Sequence, residues 1–189
     1  MLPEPIKRFV DAVAKLPGIG PRQATRLAFH LSNQGKADVM ELAEAVQGLN
    51  ALAVCATCFA TTPNSDICAI CSNPNRRQDL VAIVEKETDL ISLEKAKKFD
   101  GRYLVLGELK KDGFLTNVQK LRLRTLENVQ EAILAMNPTT YGDINASLIA
   151  QELKESVGRL TRLGRGIPTG GEIEFADEET LSSAIQNRS

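Results

Sequence analysis

All four cysteines of this 189-residue chain lie in one short stretch, spaced Cys55-x2-Cys58-x9-Cys68-x2-Cys71. Two CxxC pairs separated by a short loop can bring four thiolates together as a tetrahedron around Zn²⁺. The segment between them, Thr61-Thr-Pro-Asn-Ser-Asp66, is polar and rich in turn formers, so it supplies no core of its own. The metal then provides much of the local folding free energy. With all four positions filled by protein, no coordination site is left for a catalytic water. Four buried or redox-active thiols, or an iron–sulfur cluster, are the alternatives for the same residues. The chain has no apolar run near the ~18 residues that span a bilayer. Its start, Met1-Leu-Pro-Glu-Pro, lacks the basic and apolar regions of a secretory signal. The expected compartment is a reducing cytosol, where paired cysteines favour metal over disulfide.

On either side of the cysteines the pattern of apolar residues differs. Upstream, Ile6, Phe9, Val10, Val13 and Leu16 recur at helical spacing, so a helix is expected over 5–15. Pro17-Gly18-Ile19-Gly20-Pro21 breaks it, and further helices are expected over 21–34 and 37–53. Downstream, strands and helices alternate. Strands are expected at Leu80–Val84, Tyr103–Leu106, Ala132–Ala135 and Gly158–Leu163, and helices at 88–98, 116–128 and 143–156. Such alternation implies a mostly parallel sheet covered by helices. The tail reads as a loop at Ile167–Gly171, a short strand near 173–175 and a last helix near 178–187. The fold class is therefore α/β with an N-terminal helical segment. Its expected parts are a helical region over 1–53, a metal finger over 54–78, a sheet domain over 79–163 and a C-terminal segment over 164–189.

Two further groups of residues carry chemistry. Gly18 and Gly20 can take backbone angles closed to other residues and let the chain approach a phosphate without an intervening Cβ. Arg22 and Arg26 follow at the start of the next helix, four apart on one face, where free N–H groups already attract anions. This is the pattern of a helix–hairpin–helix, which holds DNA by its backbone rather than its bases. Residues 1–36 carry six basic side chains against two acidic ones, whereas 172–179 holds five acids and no base. A basic head suits a polyanion partner. His30, the single histidine, is given no role. The second group is acidic. Glu85 ends the first strand of the sheet domain and Asp143 follows the third, so both belong at the edge where parallel sheets place ligands. Together they could hold a weakly bound Mg²⁺, a thin site for phosphodiester chemistry, which clamps its metal more fully.

The series LPGIGPRQATRLAFHL (16–31), CATC…CAIC with NPNRRQ (55–78), Val84-Glu85, GRYLVL (101–106), ILAMNPT (133–139) and LGRGIPTGGEIEFADEETL (163–181) resembles the RecR family of bacterial recombination mediators. The resemblance runs along nearly the whole chain. It implies a helix–hairpin–helix, a four-cysteine zinc finger, a Toprim domain and a C-terminal segment with a Walker B-like strand. It further implies a ring-shaped clamp, commonly a homotetramer, that is not an enzyme. Such a clamp works with RecO, and with RecF in many bacteria, to load RecA on gapped or single-stranded DNA. On this resemblance Gly18, Gly20, Arg22 and Arg26 bind DNA, whether double-stranded, gapped or single-stranded. Cys55, Cys58, Cys68 and Cys71 hold structural zinc, and Glu85 and Asp143 are acidic positions of the Toprim domain. The implied location is cytoplasmic and nucleoid-associated. Two stretches depart from the family. Tyr141 stands where it usually has an acidic residue, and Gly107–Gly113 replaces a longer Gly- and Asp-containing loop. The first weakens the metal reading of the Toprim edge, and both bear on the RecO contact. The alternatives are a Mg²⁺-dependent Toprim nuclease, and a zinc adaptor that binds only proteins.

Overall fold

A computed structural model describes residues 2–63, 65–110 and 113–188. The chain divides into two compact units, residues 1–52 and 53–189. The first unit holds α1 (Glu4–Val13), α2 (Pro21–Asn33) and α3 (Lys36–Gly48). Proline opens both α1 and α2, where its missing N–H costs nothing and its fixed φ suits the first turn. Ala24 and Ala28, one turn apart on α2, are both buried. Their small side chains let α1 pack closely, with Val10 at the centre and Ile6, Phe9, Val13 and Ile19 around it. α3 buries none of its residues. It ends earlier than the expected 37–53: a 3-10 turn over Leu49–Ala51 follows, and then strand β1 (Leu52–Val54).

In the second unit β1 pairs with β2 (Thr61–Pro63), so the segment expected to be an irregular loop forms a small two-stranded sheet. The main sheet contains β3 (Leu80–Val84), β4 (Arg102–Val105), β5 (Val129–Ala135) and β6 (Val157–Arg162), in the order β4-β3-β5-β6. All three pairings are parallel. The intervening helices are α4 (Glu87–Lys95), α5 (Asn117–Leu123) and α6 (Thr140–Leu153). β5 begins three residues before the expected strand, because Val129 is buried and pairs with Val157. The expected strand near 173–175 is instead a 3-10 turn, Ile173–Phe175. Ile173 and Phe175 are both strongly exposed, no described strand pairs with them, and the chain closes its own turn through Phe175 N to Glu172 O and Ala176 N to Ile173 O. α7 (Glu178–Gln186) follows, its first turn capped by Asp177, whose Oδ1 accepts from Thr180 N at 2.7 Å.

The side-chain period of two sorts the sheet into two faces. Val81, Ile83, Leu104, Ala132 and Leu134 point one way and pack on Leu123 of α5 and Ala146, Ile149 and Leu153 of α6. Ala82, Val84, Tyr103, Val105 and Ala135 point the other way. That second face is covered by Leu90 of α4 together with Cys55, Cys58, Ala60 and Cys68. All five positions of β3 are buried, as a central parallel strand requires. Of the short segment 107–113, Lys111 and Asp112 lie outside the described residues. Around them Gln119 Nε2 donates to Glu108 O at 2.9 Å, and Asn145 Nδ2 to Lys110 O at 3.4 Å.

Candidate nucleic-acid hairpin and metal centre

The hairpin is built by Gly18 and by the first turn of α2. Gly18 has φ of +79°, the left-handed region that favours glycine, with no atom near the place a Cβ would occupy. Gly20 is different: its φ of −86° is open to any residue, so its contribution is an unobstructed surface rather than a special angle. Gly20 N–H is satisfied by Gln23 Oε1 at 3.3 Å, and its carbonyl accepts from Ala24 N at 2.9 Å. The N–H groups of Arg22 and Gln23 have no carbonyl one turn back within the helix, and they point out of its end. Arg22 and Arg26 are both exposed, on the side of α2 turned away from Ala24 and Ala28. One helical turn separates them, about 6 Å along the axis. Two guanidinium groups and a positive helix end thus lie along one surface. A groove of about 450 Å³ continues this surface, lined by Ile19, Gln23, Arg26, Leu27 and His30.

At the metal centre the four cysteine sulfurs lie within 4.8 Å of one another, and Cys58 Sγ and Cys68 Sγ are 3.5 Å apart. A tetrahedron with Zn–S bonds of about 2.3 Å has edges of roughly 3.8 Å, so the cluster has the size of a bound metal. Main-chain N–H groups point at the sulfurs: Cys68 N donates to Cys55 Sγ at 3.3 Å, and Cys71 N to Cys68 Sγ at 3.5 Å. Such bonds stabilise thiolates. The first knuckle closes through Phe59 N to Cys55 O at 3.0 Å and Cys55 N to Ala60 O at 2.8 Å, with Phe59 at φ of +61°. A hydrogen bond from Cys71 holds the Cys58 thiol down at about 5, against the opposing effect of burial. The same bond pushes Cys71 up, while burial raises Cys68. A divalent cation would displace the thiol protons.

The knuckle is also fixed to the sheet. Val105 N donates to Cys58 O at 2.8 Å, on the outer edge of β4. Arg122 of α5 lies 4.8 Å from the centre of the Phe59 ring and donates to Val105 O at 3.0 Å. Past the second knuckle, Arg76 pairs with Glu94, donates to Phe99 O and Gly101 O, and brings Glu94 to Tyr103, whose hydroxyl donates at 2.9 Å. Desolvation, reinforced by Glu94, pushes the Tyr103 hydroxyl above its ordinary range.

The third group sits at the carboxyl ends of the strands. β3 leads to β4 on one side and β5 leads to β6 on the other, so the topology reverses between β3 and β5, where ligand crevices form. Glu85 and the 136–143 segment both lie at that edge. Glu85 Oε1 accepts from Leu109 N at 3.2 Å. Asp143, in the first turn of α6, is paired with Arg165 and with Arg162, the latter at 2.5 Å, and Arg165 also reaches Glu179 at 3.3 Å. The two arginines, Arg165 foremost, hold the Asp143 carboxyl below the usual range. Among the described residues, the four cysteines are the one cluster of three or more ligand side chains. Tyr141 is half-exposed on α6.

Sequence reasoning misses Arg162 and Arg165: the first ends an expected strand and the second follows it, and neither position gives a distance to a carboxylate. It also misses Phe59, although its place directly after a CxxC pair is a usable signal for a side chain that closes the knuckle.

Comparison with known families matches three descriptions: "RecR, helix-hairpin-helix" over residues 6–49, "Toprim domain" over 79–163 and "RecR, C-terminal" over 166–189. Among curated proteins, the recombination protein RecR of Gloeobacter violaceus is 36% identical over 195 residues, covering 100% of this chain and 98% of its own. Recombination protein RecR of Clostridium perfringens strain ATCC 13124 is 40% identical over 192 residues, covering 98% and 96%.

Proposed function

This chain belongs to the RecR family of recombination proteins, and from that premise we propose that it is a non-catalytic DNA clamp of recombination repair, acting with RecO and RecF to load RecA on gapped or single-stranded DNA. The observation that carries the reading is the hairpin. Exposed Arg22 and Arg26 stand one turn apart beside a helix end whose free N–H groups and positive dipole favour phosphate oxygens. These contacts are blind to sequence, as suits a protein that acts wherever a gap occurs. One hairpin supplies few phosphate contacts. In a homotetrameric ring several would grip one DNA, and linked weak contacts raise the overall affinity.

In this reading the four cysteines hold Zn²⁺, which closes the loop over one face of the sheet and does no chemistry on DNA. Asp143, already held by two arginines, leaves the Toprim edge poorly suited to Mg²⁺. That supports a clamp over a Toprim nuclease, and makes the edge an anchor for the C-terminal segment.

The test is a gel shift with labelled gapped duplex in Mg²⁺, the same products also run under denaturing conditions. A salt-sensitive shift with intact strands is expected. Cut strands would replace the clamp with the nuclease reading, and absence of any shift would leave the adaptor that binds only proteins.

A further inference from the structure

The groove beside Arg26 has a makeup that phosphate binding alone does not need. Ile19 and Leu27 give it an apolar floor, while Gln23, Arg26 and His30 give it polar walls. Among the described residues no acidic side chain lines it. Gln23 spends its Oε1 on Gly20 N–H, so its amide NH2 is the end left to donate. His30 is exposed, one turn beyond Arg26, while the buried face of the same helix is made by Ala24 and Ala28. The imidazole therefore contributes nothing to the packing of α1 on α2. Arg22, Arg26 and His30 form one stripe at four-residue intervals, with the groove beside its latter half.

We propose that this groove seats one unpaired nucleobase next to the phosphate held by Arg26, with His30 as the flat face on which the base stacks. The inference rests on the DNA-binding reading above and adds what the hairpin prefers: the single-stranded side of a gap. In continuous duplex each base is stacked between neighbours and its faces are covered. In a gap the bases are free, and an aromatic face beside an apolar floor takes them without regard to sequence. Gln23 and Arg26 then donate to whichever acceptor the base edge presents. The groove is continuous with the arginine surface, so one strand reaches both without leaving α2.

The experiment titrates the full chain against two fluorescent DNAs, a continuous duplex and the same duplex interrupted by an oligothymidine gap. The proteins are wild type, His30→Ala, His30→Phe and the double variant Arg22→Ala with Arg26→Ala. Circular dichroism checks helix content, which exposed position 30 should not affect. His30→Ala is expected to weaken gapped-DNA binding by about fivefold or more, the lower end of one lost base stack, and continuous duplex by less than about twofold. His30→Phe, which keeps an aromatic ring and removes the ring nitrogens, restores the gapped affinity. Equal losses on both DNAs, no loss on either, or failure of phenylalanine to restore binding would overturn the proposal. If wild type binds both DNAs and the arginine variant binds neither, the hairpin reading stands whatever happens at His30. If wild type binds neither DNA, both readings fall.

Discussion

Withdrawing the metal should unfold more than the finger. On one face of the main sheet, Ala82, Val84, Val105 and Ala135 are covered partly by Cys55, Cys58, Ala60 and Cys68. A bound cation would hold the four cysteines together by neutralising sulfurs that otherwise repel as thiolates. Without it, the 55–71 segment retains the Val105-to-Cys58 bond and the contacts of Thr61 with Glu87, but little core of its own. Fully burying a valine is worth about 1.5 kcal/mol or more, so half-exposing two valines, exposing two alanines and losing the cysteine contacts costs about 3 kcal/mol. Whole domains are stable by only about 5–15 kcal/mol. At roughly 4 °C per kcal/mol for a unit of this size, the melting temperature should fall by about 12 °C. The assay compares melts followed by far-ultraviolet circular dichroism, before and after dialysis against a chelator, with metal content measured on the same samples. Cys58→Ser should reproduce the loss. A metal-free sample melting within about 2 °C of the loaded one would refute the argument, because the sheet face would then be covered without help from the ion.

Other outcomes follow from single positions. A Cβ on Gly142 would lie 1.9 Å from Asn137 O, so Gly142→Ala should lower the urea midpoint at constant slope and cost about 1–3 kcal/mol. Gly18→Ala meets open space but must adopt φ of +79°; it should destabilise unit 1–52 by about 1–2 kcal/mol and weaken DNA binding, measured by melting and anisotropy. Asp143 is held below its ordinary pKa by Arg165 and Arg162. Its ion pairs therefore contribute fully above the ordinary carboxylate value and are lost as pH falls through the lowered one. The hydrogen-exchange protection of 166–186, normalised to the intrinsic amide rate at each pH, should stay constant from neutrality to about pH 5 and fall below about pH 4. Loss of protection already between about pH 5 and 7 would assign the anchoring of that segment to other groups.

Much of this molecule is legible from residue spacing, because the deciding forces act over a few residues. The CxxC pairs fix where four sulfurs can go, Pro21 fixes where α2 begins, and the apolar periods separate helices from parallel strands. Gly18 is a local matter too, since its φ serves a turn three residues from a helix. Expectations fail where a segment's state depends on a distant partner. Thr61–Pro63 reads as a loop, and becomes a strand because β1 pairs with it. Ile173–Phe175 reads as a strand, and becomes a 3-10 turn because no described strand pairs with it. Only the tertiary structure decides that the finger forms a layer of the core and that Asp143 meets Arg162 and Arg165. Packing and ion pairing depend on distances across the fold, and those are set only once the parallel sheet has brought separate strand ends to one edge.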